Sequence, residues 1–325
     1  MKKIVITGSN GFVGSSLARN FFEQRFDVTC LVRFGSNTEL IPKECKIYRM
    51  NYNNTAEMLE IIEGSDILIH NAASTRAMNW KQFKKVNIDL TEKMLNICNN
   101  TKSLKQFVFI SSQAAAGPAK DEKHPKKESN RCFPVTMYGK SKLLAENLIK
   151  KKSEKPWTII RPASVYGPGD KDFLQYFKLI KKHLALHIGF KDKYMNLIYI
   201  DDLVEMIAKT LGNKKAYNQI FFASDGKTYT LKKFVKSLSL ALNTYSITIN
   251  IPEFMLYPIA LTGDIFSIFN KRPSLINREK IKELKTNFWL VNNDKAKNLL
   301  GFKSKGNIEH HLETTYKWYK EKGWI

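Results

Sequence analysis

Residues 4–22 read IVITGSNGFVGSSLARNFF, and no other stretch restricts the fold so tightly. A short β-branched run ends at Thr7, and glycines follow at positions 8, 11 and 14. Apolar residues then recur at Phe12, Val13, Leu17 and Phe21 with the spacing of one helix face. A strand that turns at once into a helix needs glycine where the chain bends and where another backbone comes close. The same geometry aims free N–H groups and the positive end of the helix at an anion, which suits the pyrophosphate of a dinucleotide. Gly8, Asn10, Gly11, Phe12, Val13 and Gly14 are therefore the expected cofactor contacts. The strand before them and the helix after them supply the context that a glycine triplet alone lacks.

The first half of the chain repeats this theme. β-branched runs (KIVITG, DVTCLV, DILIHNAA, QFVFISS, WTIIRPASVYG) alternate with helical patterns over 12–25, 55–63, 80–100 and 136–152. Alternation of this kind predicts a parallel sheet with helices on both faces, an α/β doubly wound sheet of the Rossmann type. At 325 residues the chain exceeds the usual size of one domain, so a second lobe is expected. Regularity weakens after residue 166, while MNLIYIDDLVEMIAKTL and QIFFAS read as a return to the sheet. The expected division is 1–166 plus 195–224 for the dinucleotide domain, and 167–194 plus 225–325 for a smaller, helix-rich C-terminal substrate lobe.

Charge and cysteine content narrow the function classes. The formal charge of +23 invites nucleic acid as a partner, but the lysines are spread along the chain without a finger or heptad pattern. A lysine-rich habit with no nucleic-acid partner is the simpler expectation. The four cysteines (Cys30, Cys45, Cys98, Cys132) show no paired spacing, so a reducing, cytoplasmic location is expected. The apolar stretch 251–269 is broken by Glu253, Pro258, Gly263 and Asp264, so it does not read as a membrane span. Membrane contact is not expected, and a packed element of the second lobe is the default. His183 and His187 read as an exposed pair on a helix, adjacent His310 and His311 point apart, and no metal site is expected. His70 reads as a satisfied core histidine, and Asp201 and Asp202 as a helix start.

The end of the second strand bears on which dinucleotide is bound. TCLVRFGSN places Arg33 there, 19 positions after Gly14, with no acid before Glu39. A guanidinium makes paired charge-assisted bonds to a 2′-phosphate, whereas a carboxylate would suit the free ribose. NADP is the preferred cofactor and NAD the alternative.

HNAA at 70–73, SSQAAAG at 111–117, YGKSK at 138–142 and RPASVYGPGD at 161–170 follow the glycine turn in that order. Together they resemble the extended short-chain dehydrogenase/reductase family, the NAD-dependent epimerase/dehydratase group, strongly over the first 170 residues. The resemblance implies hydride transfer with Tyr138 as general acid or base, Lys142 lowering its pKa and binding the nicotinamide ribose, and Ser112 donating to the substrate oxygen; Ser111 is held in reserve. It implies further cofactor contacts at Asn71, Ala72, Ala73, Pro162 and Val165, an ordering role for Asn87, and an adenine contact from Asn51 where relatives carry Asp. Positions four apart share a helix face, so Tyr138 and Lys142 can converge on one spot. A free phenol titrates near ~10, so basic work near pH 7 asks for about 4 kcal/mol of differential stabilisation.

The SSQAAAG form and Arg33 resemble the dihydroflavonol-reductase and 3β-hydroxysteroid-dehydrogenase branch. The expected activity is reduction of a small-molecule ketone, or oxidation of a secondary alcohol, with NADP(H), on an apolar substrate if the Phe-, Leu- and Ile-rich lobe lines the site. A nucleotide-sugar epimerase or dehydratase with tightly held NAD is the alternative, and a non-catalytic dinucleotide-binding protein a third. Ser74, Gln113 and Thr136, in stretches that match no motif, are the candidate substrate contacts. A helix-rich face could pair two copies into a homodimer.

Overall fold

The structure is a computed structural model and describes residues 2–258 and 278–325. β1 (Lys3–Thr7) leads into α1 (Phe12–Glu23), followed by β2 (Asp27–Arg33), β3 (Lys46–Met50), α2 (Thr55–Ile62) and β4 (Ile67–His70). A π-helical turn, Lys84–Asp89, joins α3 (Trp80–Phe83) to α4 (Leu90–Asn100). Next come β5 (Gln106–Ile110), the short α5 (Gln113–Ala116), α6 (Met137–Lys152) and β6 (Trp157–Pro162). The second half contains β7 (Ser164–Tyr166), α7 (Leu174–Lys181), β8 (Leu184–Ile188), β9 (Tyr194–Met195), β10 (Leu197–Tyr199) and α8 (Ile200–Ala208). It continues with β11 (Gln219–Ala223), β12 (Tyr229–Thr230), α9 (Leu231–Ala241) and β13 (Ile247–Ile251). Beyond the gap lie α10 (Arg278–Lys285), β14 (Phe288–Trp289), α11 (Asp294–Leu300) and α12 (Ile308–Glu321).

Seven strands form one sheet in the order β11-β6-β5-β4-β1-β2-β3, every neighbouring pair parallel. Alternate residues feed two cores. Ile4, Ile6, Ile69 and Val108 pack with Leu17 and Phe21 of α1, while Val5, Leu68, Phe107 and Phe109 pack with Met94 of α4 and Ile149 of α6. Burial on both faces is why these strands read as continuous apolar runs. Strand order reverses between β1 and β4, which opens a crevice at their carboxyl ends, where ligands of such sheets bind.

β13 with β8, and β12-β9-β14, form smaller sheets outside the seven-stranded one. The loop after α5 is tied to them by Ala119 N–H donating to the Phe288 carbonyl (2.9 Å) and Lys126 N–H to that of Leu290 (2.9 Å).

Three expectations meet a different structure, and β3 is a strand that the sequence reading did not include. β3 carries no alternation because it is the edge strand, with only Met50 buried. The pattern over 80–100 is one axis but not one α-helix, since the π turn interrupts it. His183 and His187 do not share a helix: α7 ends at Lys181, His183 sits at φ 60, and His187 is inside β8. His187 is also 2% exposed rather than on the surface. Of the apolar stretch 251–269, residues 259–269 lie outside the described residues.

Candidate active site

The glycine turn meets the end of β4 in the crevice. Gly8 holds φ 67, and Asn71 donates from Nδ2 to its carbonyl at 3.2 Å. A Cβ on Gly14 would stand 2.2 Å from the Gly8 oxygen and 2.9 Å from Asn71 Nδ2, so the helix can approach the turn only without a side chain. Thr7 and His70 fasten the two strands below. Thr91 spends its hydroxyl proton on the Asn87 carbonyl (2.8 Å), which leaves His70 Nε2 as donor to Thr91 and Nδ1 as acceptor from Thr7 (2.8 Å). Burial, with the Lys142 charge adding, pushes His70 down to about 3 and keeps it neutral.

A cavity of about 2080 Å³ runs from the crevice to residues of α7, β8 and β9, more than twice the ~1,000 Å³ of a large single-ligand pocket. Gly8, Asn10, Gly11, Phe12, Val13, Arg33, Asn51, Asn71, Ala72, Ala73, Ser74, Ser112, Tyr138, Lys142, Pro162 and Val165 all line it. Gly14 lies behind the turn. Arg33 is exposed at the end of β2, and its side chain makes no hydrogen bond or ion pair among the described residues. Tyr52 lies between Arg33 and the turn, its hydroxyl donating to the Leu31 carbonyl (2.9 Å) and its pKa pushed up to about 12 by burial.

Helix α6 is capped by Thr136, whose Oγ1 accepts from Gly139 N–H at 3.0 Å, and carries Tyr138, Lys142 and Glu146 on one face. Burial pushes the Tyr138 phenol up to about 12, the neighbouring Ser112 side chain pulls the other way, and the Glu283 charge adds to the rise. Lys142 is 1% exposed, donates to the Ile110 carbonyl at 2.6 Å and lies 4.0 Å from the centre of the Phe109 ring. Burial draws its ammonium down to about 7, against the pull of Glu146.

Ser112 faces Tyr138, whereas Ser111 turns away to Glu146 (2.5 Å). Asn87 stands in the π turn below the cavity, 1% exposed. It accepts from Ser74 N–H (2.7 Å) and donates to the Ser74 carbonyl (2.9 Å) and Ser141 Oγ (2.8 Å). Gln113 and Thr136 do not line the cavity: Thr136 is occupied as the cap, and Gln113 is 7% exposed with a buried Oε1 that has no partner among the described residues. Tyr52, Ser141 and Glu146 escaped the sequence reading. Glu146 had a signal, being the next position on the face that carries Tyr138 and Lys142.

A fit for a dinucleotide is visible in the chain itself. A Cβ on Gly14 would keep α1 off the turn, Arg33 is open, and a long cavity joins the turn and Arg33 to Tyr138 and Lys142. Comparison with known proteins agrees. The family model of the NAD dependent epimerase/dehydratase family matches residues 4–221. The chain is 26% identical over 329 residues to a UDP-glucose 4-epimerase of Vibrio cholerae, covering 97% of this chain and 94% of that one. It is also 26% identical over 335 residues to a decarboxylating sterol-4-alpha-carboxylate 3-dehydrogenase of Dictyostelium discoideum, with 96% and 99% covered. UDP-glucuronic acid 4-epimerase from Bacillus cereus, solved with UDP-glucuronic acid and NAD, superposes with a TM-score of 0.79 at 20% identity, covering 98% and 99%, which speaks for the fold. With a match over two thirds of its length and the crevice built as described, this chain is an enzyme of the NAD dependent epimerase/dehydratase family, among the extended short-chain dehydrogenases/reductases.

Proposed function

We propose that this enzyme reduces a ketone, or oxidises the matching secondary alcohol, with NADP(H), and that its substrate has an apolar body. The observation that carries the cofactor is Arg33, an open guanidinium on the cavity wall at the end of β2, where a 2′-phosphate would meet it. Gly8, Gly11 and the N-terminus of α1 would hold the pyrophosphate, and Lys142 the nicotinamide ribose. The bound nicotinamide supplies or accepts the hydride.

The chain handles the proton. With its pKa raised by burial, Tyr138 stands protonated at neutral pH, ready to donate to the oxygen of a ketone as it gains negative charge. Ser112 stands beside Tyr138 on the cavity wall and would steady that same oxygen. Ser74, also on the wall, is a candidate substrate contact. Beyond Tyr138 the wall sets the apolar Leu179, Leu186, Ile188, Met195, Leu284 and Trp289 among charged residues such as Lys193 and Glu283, and the apolar set supports a substrate with an apolar body.

An epimerase or dehydratase that holds NAD through its cycle is the second reading, and the likeness to a UDP-glucose 4-epimerase over 97% of this chain favours it. Mass spectrometry of nucleotide released from the purified protein separates the two. Weakly retained NADP with no sugar-nucleotide binding supports the reductase; copurified NAD with UDP-sugar binding overturns it. Tyr138→Phe should remove turnover while leaving the NADPH dissociation constant within about threefold, because only the proton-transferring hydroxyl is lost.

A further inference from the structure

Beneath the proposed acid and its lysine lies a buried charge that the reaction as described does not use. Glu146 is 0% exposed and follows Tyr138 and Lys142 on the same face of α6. Its Oε1 accepts from Ser111 Oγ (2.5 Å) and Arg161 Nε (2.9 Å), and its Oε2 from Arg161 Nη2 (2.6 Å). One carboxylate therefore ties α6 to the carboxyl ends of β5 and β6. The residue it grips, Ser111, lies between the two contacts that matter: the Ile110 carbonyl takes the bond from Lys142, and Ser112 faces Tyr138.

We propose that Glu146 is a positioning residue of the active site, holding the Ile110–Ser112 segment in register with α6 and keeping the Lys142 side chain charged where it meets the cofactor. The inference rests on the reading that Lys142 serves a bound dinucleotide.

Several groups face Lys142. On its own helix they are Tyr138 and Glu146; from β4 comes His70, which burial keeps neutral; from β5 come the Phe109 ring and the Ile110 carbonyl; Arg161 of β6 is paired with Glu146. The nearby negative charge is thus that of Glu146, and it opposes the burial that draws Lys142 down to about 7. Arg161 does not replace it. Its own charge is already shared with Glu146, its Nη2 also reaches Cys132 Sγ at 3.3 Å, and its Nη1 has no partner among the described residues.

The test needs no substrate. NADPH fluorescence is titrated against wild type, Lys142→Met and Glu146→Gln from about pH 5.5 to about pH 9, across the range in which Lys142 loses its proton. In wild type the dissociation constant should rise above about pH 7, and in Lys142→Met this rise should vanish. In Glu146→Gln, which keeps the shape but not the charge, the rise should begin about one pH unit lower, with NADPH binding weakened about tenfold at pH 8. Should Glu146→Gln fail to accumulate because Arg161 is left buried and unpaired, Glu146→Gln/Arg161→Met leaves neither charge stranded and carries the same expectation. A rise that stays in place in the Glu146 variants, with only a lower melting temperature, overturns the positioning role and leaves the function reading intact. A rise that persists in Lys142→Met removes Lys142 from the cofactor and takes both down.

Discussion

Arg33 can choose the dinucleotide because nothing else in the described chain claims it. It stands at the last position of β2, opposite Met50 of β3, exposed and facing the cavity. A guanidinium bonded to a phosphate in two places contributes about 1.5–3 kcal/mol, so its loss is visible only with a ligand that carries the phosphate. Arg33→Ala should raise the dissociation constant for NADPH by about 10- to 100-fold and that for NADH by less than about threefold. Equal effects on the two nucleotides would remove the 2′-phosphate from the account. Residues of this kind were legible because each depends on its immediate neighbours: Arg33 ends a strand, Tyr138 and Lys142 are one helical turn apart, and Ser112 lies just past the end of β5. Glu146 was less legible, because its meaning comes from Ser111 and Arg161, 35 and 15 positions away.

The π turn over Lys84–Asp89 shows the same limit one level up. Its residues continue the apolar and polar spacing of the helices on either side, so periodicity alone predicts one unbroken helix. What inserts the extra residue into the turn is a set of partners on other elements, namely Ser74 in the loop after β4 and Ser141 on α6, which Asn87 bridges. Such π turns recur at functional sites. Asn87→Ala would strip the half-buried Ser74 backbone groups and the buried Ser141 hydroxyl of their bonds to Asn87, at a cost of about 2–4 kcal/mol in urea unfolding. A loss under about 0.5 kcal/mol would mean that the turn holds itself without Asn87. β3 and β8 went unread for related reasons. The first has a single buried side chain, and the second follows directly on α7, where its β character depends on pairing with β13, over 60 positions further on.

Across the whole molecule, two buried titratable groups oppose each other with pH. His70, between β1 and β4, is held near 3 by burial, below its ordinary ~6.5. The unfolded chain takes up that proton first, so this contribution to stability is complete above about pH 6.5 and is lost as pH falls toward 3. Asp170 lies where the chain leaves β7 for α7, 6% exposed, its side chain accepting from the N–H groups of Asp172 (3.0 Å) and Phe173 (2.7 Å). Its backbone carbonyl takes the Tyr319 hydroxyl of α12 at 2.7 Å, joining the C-terminal helix to the cavity wall. Burial pushes this carboxyl up to about 7, with the N–H bonds only partly offsetting it. Here the folded pKa lies above the unfolded one, so the contribution is complete below about pH 4 and is lost as pH rises through 7. Asp170→Asn removes the titration while keeping one acceptor for the two N–H groups. Its unfolding free energy relative to wild type should therefore become more favourable by at least about 1 kcal/mol between pH 4 and pH 7.5. A difference that stays flat over that range would show that Asp170 ionises in the folded protein as easily as in the unfolded chain, and would remove it from the pH response of the link between α12 and the cofactor crevice.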